Sequence, residues 1–497
     1  MKPFYITTPI YYVNDKPHIG HAYTTILADV ISRHFRDMGR DVFFLTGLDE
    51  HGQKVQQAAE NKGVSPIEHC NEMAPRFMSL WSKLHIQYTD FIRTTEKRHS
   101  AIVQSILQKV YDKGDIYEDS YEGLYSVSEE RFITQKEADS GDFRDVRELK
   151  EKNYFFKMSN YQEKLVEHIH DNPSFIQPEH RKNEVLGFLR SPLEDLCISR
   201  PKSRLSWGIE IPFDKDYVTY VWFDALINYI SAIGYESNQE KYKTYWPVDF
   251  HLIGKDILTT HSVYWPTMLM SAELPLPKAI FAHGWWLSDQ TKMSKSLGNV
   301  VDPLDLIDTY GVDPIRFYLM KEMVLGQDAN FSMDSFIKCY NSDLANDLGN
   351  LLSRVTNLIF KFYDGALEPD LDDSSDGDEV KKAALVSINT SKELMNDLKI
   401  NDAINSVFIF IRRVNKYLEI SAPWKLVKTD KKSAGKVLFT AAESLRIIAL
   451  LLNPVMPNRT EAVLSALGAK NRELEWGKLV FEKKVLQQKP LFPRIES

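Results

Sequence analysis

The chain predicts an α/β fold: a doubly wound parallel sheet of Rossmann type, broken by a mixed α+β insertion and followed by an all-α helical bundle. Three observations lead there. Residues 4–46 read strand, helix, strand, an order that implies parallel strands. The same alternation returns after residue 214. From Pro303 onward the apolar residues recur at helical spacing.

The first strand runs into Thr8-Pro-Ile-Tyr-Tyr12 and is followed by the breakers Asn14, Asp15 and Pro17. His18-Ile-Gly-His21 then opens an amphipathic helix with Ile19, Ala22, Ile26, Leu27, Val30 and Ile31 on its apolar face. A strand that turns into a helix aims backbone N–H groups and a positive dipole end at the turn, which is an anion site. Two histidines three apart share a helix face and can both donate to phosphate oxygens, and Gly20 lets a ligand approach the backbone. Gly39 ends the helix, and Asp41–Thr46 forms the second strand. Its end, Gly47-Leu-Asp-Glu-His-Gly52, puts polar groups at a carboxyl edge, where open α/β sheets bind ligands.

Asp90–Thr94 reads as a third strand. Residues 116–213 read as an insertion in which Gly turns alternate with aromatic strand fragments: Tyr121–Tyr125, Glu151–Lys157 and Trp207–Pro212. The parallel pattern then resumes with a strand at Tyr217–Trp222 and a helix from Asp224. Phe250–Gly254 is a further strand with a helix from Asp256, and Ala279–His283 is the last strand. Acidic residues 366–381 read as an exposed loop, and residues 383–466 as long helices carrying Ile404, Phe408, Ile411 and Tyr417 inward. The expected division is 1–115 and 214–290 for the two Rossmann halves and 116–213 for the insertion. Residues 291–345 form a lysine loop and stem-contact region, and 346–497 the helical domain.

At 497 residues the chain exceeds what one core of ~250–300 residues supports, so several domains are expected. The formal net charge is −8, but it is uneven. Residues 401–497 hold 17 Lys and Arg against 9 Asp and Glu, leaving 44 against 60 in the rest. A basic end on an acidic body suits a polyanion partner. Three scattered cysteines exclude a disulfide framework and point to a reducing compartment. With no apolar stretch of ~18 residues, no membrane partner is expected, and a cytoplasmic location is.

A second string, Lys292-Met-Ser-Lys-Ser296, follows the last sheet strand and adjoins Gly298 and Asn299, a composition suited to a closing loop. Together with His18-Ile-Gly-His21 it resembles the HIGH and KMSKS pair of class I aminoacyl-tRNA synthetases. Within that class the chain resembles the methionyl-tRNA synthetase family over essentially its whole length. The resemblance is carried by Thr46–Gly52, Val221-Trp-Phe-Asp-Ala225, Leu252-Ile-Gly-Lys-Asp256, Phe281-Ala-His-Gly284 and Ala422-Pro-Trp424. It implies an enzyme that joins methionine to ATP as methionyl-adenylate, releases pyrophosphate, and passes the methionyl group to the 3′ end of tRNA(Met), initiator tRNA included.

In-line attack of a carboxylate on phosphorus needs positioning and charge neutralisation more than proton transfer. The resemblance gives that work to His18, His21, Lys292 and Lys295, with Gly20, Gly254, Asp256, His283 and Trp286 also around ATP and its Mg2+. Asp256 could also act as an N-cap. It implies Ile10, Tyr12, Trp222, Ala225, Leu226, Tyr229, Ile257 and His261 around the thioether, with Asp49 for the ammonium. Leu226 replaces a proline common among relatives. Taken singly, Trp222, Tyr229 and Ile257 also fit ordinary core roles. Asn350, Arg354 and Trp424 are the implied anticodon readers, an amide and a guanidinium on one helix face and an indole for stacking. Read alone, the first two are surface hydrogen-bonding groups and Trp424 caps the bundle.

The insertion carries only Cys197 where many relatives have metal-binding cysteines, so no structural zinc is expected and an aromatic core must hold the insertion. A C-terminal dimerisation domain found in many relatives is absent after Ser497, so a monomer is expected.

Overall fold

The structure is a computed structural model. It describes residues 2–14, 17–126, 131–133, 135–140, 145–288, 291–292, 301–487 and 489–496. The chain forms two compact units. One comprises Met1–Pro17, Phe35–Ser82 and Ile86–His283; the other comprises His18–His34, Lys83–His85 and Gly284–Ser497.

In chain order the strands are β1 (Pro3–Tyr12), β2 (Asp41–Asp49), β3 (Asp90–Arg93), β4 (Ile116–Ser126), β5 (Arg131–Ile133), β6 (Val146–Phe156), β7 (Ile176–Gln177) and β8 (Leu196–Cys197). Then come β9 (Ser199–Pro201), β10 (Glu210–Ile211), β11 (Asp214–Thr219), β12 (Phe250–Gly254), β13 (Ile280–His283), β14 (Trp286–Ser288), β15 (Thr291–Lys292) and β16 (Ala329–Phe331).

The first unit is built on a parallel sheet ordered β3-β2-β1-β12-β13-β7. Strands in such a sheet are covered on both faces, and β2 is buried from Val42 to Asp49 accordingly. Between Thr7 and Ile10 the β1–β2 register shifts. Pro9 lies in that interval and has no N–H to give the ladder. The shift re-aims the end of β1, so that Tyr12 faces Asp49.

The insertion supplies an antiparallel sheet ordered β5-β4-β6-β8, and its β9 and β10 join β11, just beyond its expected end at residue 213, in a small sheet ordered β10-β11-β9. Its aromatics do cluster: Tyr154 meets Phe213 edge-on at 5.1 Å and Tyr217 at 5.3 Å. The cluster is not self-contained, because Phe213 also stacks at 3.9 Å on Tyr111 of the Lys97–Asp112 helix.

One expected strand is displaced. β11 ends at Thr219 and pairs antiparallel with β9 and β10 instead of joining the parallel sheet. The helix begins at Val221, three residues earlier than expected, with Trp222 inside it. Apolar β-branched and aromatic residues serve a strand and a buried helix equally well, so the boundary was not legible.

In the second unit, the Ile19–Asp37 helix contributes Asp29 to a fully buried Arg316 on the Val312–Glu322 helix. The guanidinium donates to Asp29 Oδ2 at 2.7 Å and to the carbonyls of Leu84, Pro454 and Val455. Four of its five N–H donors are used in these bonds, so the buried charge is compensated by hydrogen bonds and by the Asp29 carboxylate. A bundle follows in the helices Asn350–Tyr363, Ser375–Asn396, Ile400–Ser421, Lys431–Leu452 and Pro457–Leu467. The acidic stretch is not wholly a loop, since a helix begins at Ser375. Ser374 caps it, accepting from Gly377 N, and Asp376 and Asp378 sit in the first turn, where the helix dipole favours acids.

Candidate active site

The strands all run the same way, but the order in which they are added reverses between β1 and β12: connections run outward to β2 and β3 on one side and to β13 on the other. The carboxyl ends beside such a switch point form the ligand crevice of open α/β sheets. There the first unit places Tyr12 on β1, Asp49 on β2, Gly254 on β12 and His283 on β13. Tyr12 pairs with Asp49 and Gly254 with His283 in register. Asp49 and His283 are buried and Tyr12 is half-buried. A Cβ on Gly254 would stand 2.5 Å from Asp256 Oδ1, so glycine is what lets that carboxylate fold back over the strand end. Asp256 is not an N-cap; it lies inside a short 3-10 turn, Lys255–Ile257, and is exposed.

The apolar wall comes from Val221–Leu226 and the following Asn228–Ser231 helix. Ala225, Leu226 and Tyr229 are buried, while Trp222, Ile10 and Ile257 are partly buried against the same core. His261 joins them: its Nε2 is 2.7 Å from the Tyr229 hydroxyl and its Nδ1 is 3.0 Å from the Ile257 carbonyl. A carbonyl only accepts, so Nδ1 carries the proton and Nε2 accepts from Tyr229. Burial pushes the His261 pKa down to about 4 despite the Ile257 carbonyl and Asp256, so the ring is neutral. The Trp222 ring lies edge-on to His261 at 6.4 Å. Behind the wall, His251 is also held neutral by burial. It accepts from Trp265 Nε1 at 3.2 Å and donates to Thr7 Oγ1 at 2.8 Å. Tyr5 donates to the Tyr229 carbonyl at 2.8 Å, tying β1 to the wall.

Sequence reasoning missed the polar framework around these residues. Glu50 is buried and accepts from Arg93 Nε at 2.7 Å, and Thr95 also donates to it. Its carbonyl accepts from Trp207 Nε1 at 2.6 Å. Asp224 is buried between His51 and His99. The available signal was an aspartate inside the apolar run Val221–Ala225.

His18, Gly20, His21 and Trp286 belong to the second unit. The two histidines close the start of the Ile19–Asp37 helix on each other. His18 Nδ1 accepts from Gly20 N at 3.1 Å, and His21 Nδ1 accepts from His18 N at 3.2 Å, with ring centroids 3.9 Å apart. This is a capping box made of imidazoles. Backbone N–H groups can only donate, so both rings carry their proton on Nε2 and present that nitrogen as a donor. The space a Cβ on Gly20 would take is filled by the His18 ring, 2.9 Å away. Glycine here therefore makes room for the histidine, where the sequence had suggested room for a ligand. Trp286 is buried on β14 against Tyr23, Tyr318 and Phe331. Lys292 is in β15, opposite Leu287. Lys295 lies outside the described residues, as do Met293, Ser294 and Ser296.

In the bundle the structure brings two of the three expected anticodon readers together. The Arg354 guanidinium stands 5.3 Å over the half-buried Trp424 ring, and its Nη1 is 3.9 Å from Glu419 Oε1. Asn350 is exposed one turn before Arg354 on the same helix. Ala422 takes a left-handed conformation that ends the Ile400–Ser421 helix, and Pro423 starts the short Pro423–Leu426 helix that presents the indole.

Residues 4–141 and 140–356 match the model for tRNA synthetases class I (M), and 373–489 match the anticodon binding domain of methionyl tRNA ligase. A nucleotide-type switch-point crevice with these matches defines a class I aminoacyl-tRNA synthetase. The methionine–tRNA ligase of Clostridium acetobutylicum is 47% identical over 100% of this chain and 78% of its own length. That of Rickettsia felis is 44% identical over 99% of both. The Mycobacterium tuberculosis methionyl-tRNA synthetase, solved in complex with methionyl-adenylate, superposes with a TM-score of 0.95 at 37% identity, covering 99% of this chain and 100% of that one. The chain belongs to the methionyl-tRNA ligase family.

Proposed function

We propose the following division of labour for the methionine–tRNA ligase reaction. Methionine and ATP form methionyl-adenylate and pyrophosphate, and the methionyl group then passes to the 3′ end of tRNA(Met), initiator tRNA included. The observation that carries the reading is the pairing of the buried acid Asp49 with Tyr12, at the sheet edge of an apolar wall whose polar members, Tyr229 and His261, are neutral and bonded to each other. Asp49 takes the ammonium. Ile10, Tyr12, Trp222, Ala225, Leu226, Tyr229, Ile257 and His261 enclose the thioether, which favours aromatic edges and asks for no strong donor.

Gly254, Asp256 and His283 serve the nucleoside. The Nε2–H groups of His18 and His21, with Gly20 between them and the amides of that helix start, serve the phosphates. Trp286 supports this site from behind through Tyr23. Lys292 and Lys295 neutralise the departing pyrophosphate, and ATP brings its own magnesium. Asn350, Arg354 and Trp424 read the anticodon. Residues 1–115 and 214–290 carry the chemistry around the 116–213 insertion, 291–345 the lysine loop and 346–497 the tRNA contacts.

We expect no structural zinc. Cys197, the insertion's sole cysteine, has Arg200 Nη1 at 3.3 Å, a poor setting for a cation. Among the described residues no helix is long and apolar enough to cross a membrane, and we propose a cytoplasmic monomer.

Pyrophosphate exchange without tRNA, run against all twenty amino acids, tests the reading. Methionine alone should drive strong exchange. Equal exchange with leucine or isoleucine would overturn the pocket assignment, and no exchange with any amino acid would overturn the assignment of the catalytic groups.

A further inference from the structure

The wall of the proposed methionine pocket has a charged group at its back. Trp222, Ala225, Leu226 and Tyr229 stand at spacings of three, four and seven, which is one helical face. Asp224, two residues from Trp222, points to the opposite side and is fully buried. Its Oδ2 accepts from His51 Nδ1 at 2.6 Å and its Oδ1 from His99 Nε2 at 2.7 Å. The other nitrogen of His99 is 3.0 Å from Ser231 Oγ, seven residues beyond Asp224. Burial by itself would raise the Asp224 carboxyl, but the charge and hydrogen bonds of His51 and His99 outweigh it and hold the carboxyl below its ordinary value, so it is ionised.

Three elements meet on this carboxylate. His51 follows Asp49 by two residues at the end of β2. His99 is on the Lys97–Asp112 helix, and Asp224 itself is on the wall helix. The segment carrying His51 is locked in turn: Glu50 by Arg93 and Trp207, and the His51 ring by Trp207 at 5.3 Å. A core that only needed to hold a helix would be served as well by apolar residues, because burying a carboxylate costs desolvation that packing does not. What a carboxylate adds is direction, since its two oxygens fix two neighbours at hydrogen-bond length.

We propose that Asp224 is a positioning residue for methionine: it sets the distance and angle between the amine anchor Asp49 and the side-chain wall at Trp222, Ala225 and Leu226. The inference rests on the pocket assigned above. Asp224 touches no substrate; it acts through the helix that carries the wall and through His51.

The test is Asp224→Asn in the full chain, with Ser231→Ala and Trp222→Ala beside it. Asparagine keeps the volume but can accept at only one end, so one histidine loses its partner. A displacement near 1 Å can cost about 100-fold, so the KM for methionine in pyrophosphate exchange should rise about 10- to 100-fold. The KM for ATP should stay within about twofold, because the wall carries no nucleotide contact. Ser231→Ala, one bond further out, should raise the methionine KM by about two- to fivefold in the same selective way. Trp222→Ala isolates the underlying reading: if it leaves the methionine KM unchanged, the pocket itself is misassigned. If Trp222→Ala raises that KM and Asp224→Asn does not, the pocket stands and the positioning role is overturned. Parallel rises for methionine and ATP, with a lowered melting temperature, would also overturn it by making Asp224 a general prop. Should Asp224→Asn not fold, Ser231→Ala decides: an unchanged methionine KM overturns the proposal, and a selective rise upholds it.

Discussion

The proposed methionine pocket and the proposed anticodon patch use similar residues under opposite constraints. In the pocket, aromatic rings and histidines are buried and bonded on both sides: Tyr229 to His261, His261 to Ile257, His251 to Thr7 and Trp265. In the patch, Arg354 meets Trp424 through a ring face at 5.3 Å and Glu419 through a loose 3.9 Å pair, with Asn350 exposed beside them. The difference follows from the ligands. A flexible apolar side chain offers few polar handles, so selectivity has to come from a wall that cannot relax, and an extra methylene is worth only ~1–3 kcal/mol even then. Unstacked bases offer hydrogen-bonding edges and π-faces, so an adaptable surface can read them.

The largest break in this contrast should come from Asp49→Ala. Removing one partner of a buried charged pair costs about 2–5 kcal/mol, so kcat/KM for methionine in exchange should fall by about a thousandfold, with tRNA affinity unchanged. A loss below tenfold would place the ammonium elsewhere. A second break is pH. His261 is neutral when folded because burial lowers its pKa to about 4, below its ordinary value of 6.5. Between those two values the unfolded chain binds the extra proton and the folded chain does not. Stability from this ring is therefore complete above pH 6.5 and is lost as pH falls toward 4, by an amount on the order of 3 kcal/mol. His251, lowered in the same direction, adds to the loss. Urea melts at pH 7 and pH 5 measure it, and His261→Asn should flatten the slope. A melt that is equally steep in the variant would move the effect to other groups.

How much of this was legible in the sequence follows the same division. The two sheet-edge residues Tyr12 and Asp49 stand in strings whose spacing announces a strand end, and the helix start at His18–His21 was visible in its breakers. The framework was not, because Asp224 lies 173 residues from His51 and 125 from His99, and no local pattern carries such a pairing. The acidic run failed for another reason. Charge density suggested a loop, but acids in a first turn support a helix, and Tyr417 further fixes Asp372 just before it at 2.6 Å. The histidine box was half legible: spacing showed one face, but only geometry shows both rings spending Nδ1 on backbone N–H groups.

The smallest expected effects lie in the patch. Trp424→Ala removes a stacking surface worth ~1–3 kcal/mol, so the KM for tRNA should rise while exchange without tRNA stays near wild type. Loss of that exchange would make the indole a core residue and end the anticodon assignment. Arg354→Ala should act in the same direction. The two are coupled, because the guanidinium over the ring favours its present position and shields the indole from relaxing. A cation–π pair is worth ~0.5 kcal/mol when exposed and up to ~2 kcal/mol when desolvated, so for this half-buried pair a double-mutant cycle on tRNA KM should return about 1 kcal/mol. Had the patch been built like the pocket, the two residues would act as one unit and the double variant would cost no more than either single one. A coupling as large as the single effects would therefore erase the contrast. A coupling of zero would show that Arg354 and Trp424 meet the RNA independently and that their contact in the free protein is incidental.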